Sequence, residues 1–474
     1  MMAKVVTNTK FENFRNNLRG CTIAIMGIGI SHTPLVRFLY GMGAKITVFD
    51  AAEGEKIAKK IAEFDDIEIE FCTGPKYLHG LQQGFDFIFR TPGMRPDVPA
   101  LIEAVDQGAI LTSEMEVFMK LCPAQIFGVT GSDGKTTTTT LIAKMLETEG
   151  YKCWMGGNIG TPLLDKIEQI SPEDKVILEL SSFQLMTMKK SPCVSVITNI
   201  SPNHLDYHKS YNEYVEAKKN IFQNQTPDCN HKCRIVLNFD CPDTREMKNE
   251  ISTSMTELVW FARVNKIDKG VWFEDGWLVY EGYRIMKASD IAIPGVHNVE
   301  NYLAAIAATA GYVSVESVIK VAKTFQGVEH RIEFVRELNG VKYYNDSIAS
   351  SPSRTAAGLH SFHQKVILLA GGKDKGIPYD GFGETIVSCC KKVVLVGATA
   401  DKIYESLNQY INESGEGQEI EIFRCNTYED LVQTANKISE PGDIVILSPA
   451  STSFDMFTNF EERGEVFKSL VNQL

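Results

Sequence analysis

The sequence predicts an α/β protein of three domains, each built around a mostly parallel sheet. Three observations carry that reading. Short apolar runs alternate with helical stretches along most of the chain, the rhythm of strands covered by crossover helices. That rhythm restarts twice, after "KLCPA" near residue 120 and at the glycine of "FQGVEHR" near residue 327. Finally, 474 residues exceed what one core holds, so two or three domains are expected.

In residues 1–120, "TIAIMG", "KITVFD", "IEIEFC" and "DFIFRTPG" read as strands, with "SHTPLVRFLYGMG" and "EGEKIAKKIAEF" as helices between them. Gly27 and Gly29 shape the turn after the first strand and Asp50 ends the second, so this domain is Rossmann-like. Its dinucleotide fingerprint is incomplete, because Thr33 and Pro34 stand where a third small residue is expected. Residues 121–327 open with "QIFGVTG" and continue through "KVILELSS", "VSVITNIS" and "CRIVLNF". There "VWFEDGWLVYEGYRI" alternates about a glycine turn, as a hairpin does. Residues 328–474 return to the Rossmann-like rhythm through "KVILLAGG", "KKVVLVGA", "IEIFRC" and "DIVILSPA".

A formal net charge of −12 argues against a general nucleic-acid binder or a binder of anionic membranes. Anionic small molecules stay open, since local basic groups and backbone amides hold those. No signal-like or transit-like segment opens the chain and no apolar run reaches spanning length, so a cytoplasmic protein is expected. Eleven scattered cysteines fit reduced thiols there. Cys229, His231, Cys233 and Cys241 lie close together, but their spacing matches no zinc-finger pattern, and the segment is read as the approach to a strand.

The strongest local signal is "GVTGSDGKTTTTTLIAKML", which makes the central domain P-loop ATPase-like. Gly131, Ser132, Asp133, Gly134, Lys135, Thr136 and Thr137 stand where an apolar strand turns into a helix. Backbone N–H groups of such a loop, with a helix N-terminus behind them, wrap phosphate oxygens. Lys135 is placed for the β- and γ-phosphates of ATP and Thr136 for Mg²⁺. Glycine at 131 and 134 leaves room for close backbone approach. The strict Walker spacing is not met, since Val129 stands where its first glycine belongs. Downstream, Glu179 ends a strand in "ILELSSFQL", and His204 and Asp206 follow the next one in "TNISPNHLDYH". In an open parallel sheet these loops share the edge of the phosphate loop, where a carboxylate and an imidazole suit the nucleotide's metal ion. By spacing alone Lys218 is a solvated helix residue like its neighbour Lys219.

The ordered set "TGSDGKT", "GGNIG", "ELSSFQL", "NISPNHLDYH", "EAKKNIF", "GVHNVENYLAA", "GVEHRIE", "YNDS" and "LSPASTSFDMFTNFEERG" resembles the Mur ligase family over nearly the whole chain. The resemblance implies an ATP- and Mg²⁺-dependent ligase that activates a carboxylate as an acyl phosphate, which an amine then attacks through a tetrahedral intermediate. It implies catalytic roles for Lys135, Glu179, His204 and Lys218, with Thr136, Glu179, His204 and a carbamylated Lys218 around the metal. The loop 131–137 would hold the phosphates, Asn298 and Asn301 the adenine side, and Arg331 and Asp346 the nucleotide from the C-terminal domain. Asn158 and Ser182 resemble substrate contacts, and Gly29, Asp50, Thr91, Pro92 and Gly93 resemble a UDP-side site. The last motif resembles the branch that adds D-glutamate to UDP-N-acetylmuramoyl-L-alanine, with Ser453 and Phe460 meeting the amino acid. Those two substrates are the expected partners, of a monomer that needs neither nucleic acid nor membrane.

Two departures from the family pattern stand out. Ile348 follows "YNDS" where many members have a lysine, leaving Arg354, Lys373 or Lys375 to supply positive charge, and "PASTS" replaces a cysteine-containing loop. The competing readings are a sibling ligase for another amino acid, a folylpolyglutamate synthetase, a nucleotide-binding regulator and a nicotinamide-dependent dehydrogenase. Residues 1–120 count against the folate enzyme, and Glu179, His204 and Lys218 count against a pure binder. No hydride-transfer partner is recognisable for the dehydrogenase.

Overall fold

A computed structural model describes residues 8–29, 32–226, 232–252 and 254–474. Its strands form three sheets. The first holds β1 (Thr22–Met26), β2 (Lys45–Asp50), β3 (Glu70–Thr73), β4 (Phe87–Arg90) and β5 (Ile110–Thr112), all parallel, in the order β3-β2-β1-β4-β5. β1 lies in the middle, and Ile23, Ala24, Ile25 and Met26 are buried on both of its faces, as a parallel strand requires. β3 is shorter than the expected "IEIEFC" run. It is an edge strand whose pairing with β2 begins only at Thr47 opposite Glu70. The helix Thr9–Leu18, capped by the Asn8 side chain and burying Phe11 and Leu18, was not anticipated, nor was β5.

The second sheet holds β6 (Gln125–Thr130), β7 (Cys153–Gly157), β8 (Lys175–Glu179), β9 (Val194–Ile197), β10 (Cys233–Asn238), β11 (Thr256–Ala262), β12 (Val271–Glu274), β13 (Trp277–Tyr280) and β14 (Tyr283–Lys287). Their order is β14-β13-β12-β11-β10-β9-β6-β8-β7. The expected hairpin is a three-strand meander, β12 to β14, joined to β11 by parallel pairing. Its turns, Asp275-Gly276 and Glu281-Gly282, have positive φ at both positions, the twist that matches flanking strands.

The third sheet holds β15 (Glu333–Leu338), β16 (Val341–Asn345), β17 (Val366–Ala370), β18 (Cys390–Leu395), β19 (Glu421–Arg424) and β20 (Ile444–Leu447), in the order β15-β16-β20-β17-β18-β19. Only the β15–β16 hairpin is antiparallel. β17 shows why this sheet needs helices on both faces: Val366, Leu368 and Ala370 enter one core cluster, Ile367 and Leu369 another. By packing the chain forms two units, residues 1–288 with 299–321, and 289–298 with 322–474. The first holds the first two sheets and the second holds the third. No helix among the described residues is long and apolar enough to cross a membrane.

Candidate active site

β8, β6 and β9 are parallel neighbours, so the loops at their C-terminal ends share one edge of the second sheet. β6 enters the loop 131–134, and the helix Lys135–Glu149 follows. Both loop glycines have positive φ, 147° at Gly131 and 77° at Gly134. A Cβ at 131 would lie 1.9 Å from Thr198 Oγ1, and one at 134 would lie 2.4 Å from Asn301 Oδ1. Glycine is therefore demanded by packing and by backbone angle, as well as by the room a ligand needs. Lys135 folds back over the loop, its Nζ donating to Gly131 O at 3.0 Å and Ser132 O at 2.8 Å. Ser132 is buried and its hydroxyl lies 2.8 Å from Tyr214 Oη, while Asp133 is exposed and Thr137 is buried.

Beside this loop Thr136 Oγ1 donates to Glu179 Oε2 at 2.7 Å, and Asn158 Nδ2 donates to Glu179 Oε1 at 3.0 Å. Glu179 is only 2% exposed, so both bonds compensate a desolvated side chain. The hydroxyl and carboxylate oxygens at the phosphate loop form the hard donor set that suits Mg²⁺.

Lys218 departs furthest from its expected surface position. It is 2% exposed, and its Nζ donates to Gly131 O at 2.7 Å and Thr130 Oγ1 at 3.3 Å while lying 4.7 Å from the centre of the Tyr214 ring. Burial first, and the neighbouring Lys135 second, push its pKa well below the ordinary lysine value. Both effects favour the neutral amine over the ammonium form. Lys219, one residue on, pairs instead with Glu216 at 2.7 Å and Glu250 at 2.5 Å.

His204 sits in an exposed turn with φ 54°, its ring edge-on to Phe183 at a centroid distance of 4.9 Å. Asp206 is exposed in the same turn. Ser182 and Phe183 begin the short helix Ser182–Leu185 just after Glu179, which brings His204 beside the β8 loop. His208, which the motifs did not single out, is buried with Nε2 2.9 Å from Ser182 Oγ and Nδ1 3.5 Å from Glu213 Oε2. Its burial lowers the imidazole pKa and favours the neutral ring. Hydrogen bonds from Arg95 hold the Glu213 carboxyl down at about 2.

In the first sheet, Gly29 is exposed and its carbonyl accepts from His32 and Thr33 N–H at 3.1 Å, starting the helix His32–Gly41. The Asp50 carboxylate accepts from Ile28 N at 3.0 Å and Ala52 N at 2.9 Å, bracing the turn after β1. Thr91 and Pro92 are half-buried and Gly93 exposed in the loop after β4. Arg90, at the end of β4, is buried and donates to Phe183 O at 2.9 Å and Thr187 Oγ1 at 3.0 Å.

Asn301 is buried and its Oδ1 accepts from Thr138 Oγ1 at 3.3 Å. Asn298, in the second unit, is buried and donates to Pro294 O at 2.5 Å. In that unit Arg331 is half-buried between His330 and Ile332, both with positive φ. Asp346 is buried at the end of β16, accepting from Ser448 Oγ at 2.7 Å and Ile332 N at 3.3 Å. Burial pushes its pKa up to about 7. Ser453 is buried, and the Phe460 carbonyl accepts from Ser347 Oγ at 2.7 Å. Arg463, missed in the sequence, is fully buried and ties these loops together. Its Nε donates to Ser347 Oγ at 2.9 Å, Nη2 to Ser347 O at 2.7 Å and Nη1 to Ser451 O at 3.0 Å. The only available signal was an arginine inside an otherwise amphipathic last helix. Ile348 is half-buried, and Arg354, Lys373 and Lys375 are exposed, with Lys373 N donating to Thr452 O at 2.8 Å.

Cys233 and Cys241 are buried thiols, while Cys229 and His231 lie outside the described residues.

A strand–loop–lysine helix with a paired hydroxyl and carboxylate beside it, in a chain whose preceding and following segments each build a further α/β sheet, is the frame of an ATP-using ligase of the Mur type. The family models agree: residues 21–113 match the Mur ligase MurD-like N-terminal domain, 129–309 the Mur ligase middle domain, and 330–451 the glutamate ligase domain of Mur ligases. The chain belongs to the Mur ligase family. It is 55% identical to the UDP-N-acetylmuramoylalanine–D-glutamate ligase of Ruminiclostridium cellulolyticum over 98% of this chain and 100% of that protein. With the enzyme of the same name from Acetivibrio thermocellus it shares 55% identity over 98% and 99%, and with that from Clostridium botulinum 48% over 98% and 100%. Among solved structures, the UDP-N-acetylmuramate-alanine ligase of Thermotoga maritima shares the fold, with a TM-score of 0.57 and 20% identity, covering 96% of this chain and 99% of that one.

Proposed function

We propose that this protein is an ADP-forming ligase that joins D-glutamate to UDP-N-acetylmuramoyl-L-alanine in peptidoglycan precursor synthesis, acting as a cytoplasmic monomer with ATP and Mg²⁺. Likeness to D-glutamate ligases along nearly the full chain supports the substrates. The observation that carries the chemistry is the buried Lys218 beneath Gly131, beside the Thr136–Glu179–Asn158 cluster. Nucleotide binding alone has no use for a buried amine at that position.

The expected reaction moves the γ-phosphoryl group of ATP to the alanyl carboxylate, after which the amine of D-glutamate displaces phosphate through a tetrahedral intermediate. Positioning and charge neutralisation supply most of the rate. Loop amides 131–137 cradle the triphosphate, and Lys135 exchanges its two backbone carbonyl partners for phosphate oxygens. Thr136, Glu179 and His204 would hold Mg²⁺, which when bound neutralises the phosphate oxygens. A carbamate on Lys218 would replace the amine with a carboxylate-like group and offer two further oxygens. Asn158 and Ser182 orient the incoming carboxylate, with Gly29, Asp50, Thr91, Pro92 and Gly93 on the uridine side. Asn298, Asn301, Arg331 and Asp346 serve the nucleotide, and Ser453 and Phe460 the amino acid. Arg354, Lys373 or Lys375, all exposed, would supply the charge that Ile348 lacks.

The test is phosphate release from ATP with UDP-N-acetylmuramoyl-L-alanine, with D-glutamate, L-glutamate, L-alanine, L-lysine or meso-diaminopimelate as the amine. Release that depends on D-glutamate, with one residue added by mass, is expected. Turnover only with another amino acid would keep the ligase chemistry and overturn the specificity.

A further inference from the structure

We infer that Arg95, from the loop after β4 in the first sheet, is a positioning residue for the turn that carries His204. The inference rests on the ligase reading only for its kinetic consequence, since the geometry stands by itself. Arg95 Nη1 donates to Tyr207 O at 2.7 Å, three residues after His204. Its fork also grips Glu213, Nη2 to Oε1 at 2.9 Å and Nη1 to Oε2 at 3.0 Å, while Nε donates to Asp97 Oδ1 at 2.8 Å. Glu213 Oε2 in turn accepts from Lys209 N at 2.7 Å and faces the His208 ring that bonds Ser182. The same first-sheet loop reaches the turn a second time, through Tyr207 Oη donating to Pro92 O at 3.0 Å. The Arg95 guanidinium lies 5.4 Å from the centre of the Tyr207 ring, closing the cluster.

This cluster matters because His204 is a non-glycine residue at φ 54°, a conformation that persists only where surrounding contacts hold it. Within the turn, Tyr207 and His208 N–H bond the His204 carbonyl at 3.1 and 2.9 Å. Beyond it, the fasteners on Tyr207 and Lys209 converge on Arg95, Glu213 and Pro92. A planar, bidentate arginine fixes direction as well as charge, which a lysine cannot do equally. Arg95 thus links the loop proposed to meet the uridine nucleotide with the imidazole at the phosphate site. The sequence of that loop, "RTPGMRPD", resembles a UDP-side site but gives no signal of the positioning role of Arg95.

The experiment compares the full-length protein with Arg95→Ala, Arg95→Lys and Tyr207→Phe, using hydrogen exchange of the 204–209 amides, melting temperature and steady-state kinetics. Arg95→Ala is expected to speed exchange of the Tyr207 and Lys209 amides by about tenfold or more, with exchange in β17 unchanged. It is expected to lower kcat about tenfold while KM for ATP stays within about twofold. Arg95→Lys should recover part of both, and Tyr207→Phe should show a smaller loss, which separates positioning from general unfolding. Unchanged exchange at 204–209 in Arg95→Ala would overturn the inference, as would unchanged kcat despite faster exchange. If the unmutated protein releases no phosphate, the ligase reading fails, and the exchange comparison still decides the role of Arg95.

Discussion

Replacing Asp346 by asparagine should stabilise the protein at neutral and alkaline pH while removing its ligase activity. Asp346 is 3% exposed, and burial raises its pKa from 3.8 to about 7 against the opposing hydrogen bond from Ser448. Because the folded value lies above the unfolded one, the native state favours the neutral acid. That contribution is complete below pH 3.8 and is lost as pH rises to about 7. At 1.36 kcal/mol per pH unit the full interval corresponds to roughly 4 kcal/mol, and relaxation of a real interior makes about 2 kcal/mol the expected size. Asparagine keeps the shape and the acceptor for Ile332 N, and presents an amide to Ser448 Oγ in place of the carboxylate oxygen. At about 2–4 °C per kcal/mol, the transition of the C-terminal unit should rise roughly 4–8 °C at pH 8 and move little at pH 4. Scanning calorimetry of both proteins from pH 4 to 8 measures this directly. A variant no more stable than its parent at pH 8, or a difference independent of pH, would refute the assignment of a buried, disfavoured carboxylate. A gain in stability with loss of turnover would mark Asp346 as a residue kept for function at a cost to the fold.

Two further outcomes follow from the loops. Gly134→Ala forces an L-residue to φ 77° and drives a Cβ to 2.4 Å from Asn301 Oδ1, so beyond the ~1 kcal/mol backbone cost the loop must shift. ADP affinity measured by calorimetry should fall at least about tenfold, and unchanged affinity would contradict the phosphate-loop geometry. Arg463→Met leaves the Ser347 and Ser451 carbonyls without their guanidinium partner, costing on the order of 3 kcal/mol, which a lower melting transition would report. An unaltered transition would show that those bonds are not what holds the loops.

Much of the fold was readable because it rests on local patterning. Apolar runs such as "KVILLAGG" can be satisfied only by strands buried on two sides, and β17 meets that demand. The β15–β16 hairpin was legible but overlooked: Asn339-Gly340 between "EFVREL" and "VKYYN" is a strong turn signal. β7 and β11 were harder to see. β7 ends in two glycines, the second against the Glu179 backbone, and β11 carries Glu257 and partly exposed residues, so neither shows the continuous apolar run of a central strand.

The strands with continuous apolar runs, the glycine loop with Lys135 and Thr136, and Glu179 at a strand end were determined by the sequence itself. Each depends on neighbours within a few residues. Tertiary structure decided that Lys218 is buried beneath Gly131 while the half-buried Lys219 pairs with Glu216 and Glu250, since only the folded chain sets one helix face beneath that loop. It also decided that Arg463 and Arg95 are fasteners. Their partners lie 116 and 118 residues away in Ser347 and Glu213. A buried charge is tolerated only where distant groups converge to satisfy it, and that convergence is a property of packing that no local pattern records.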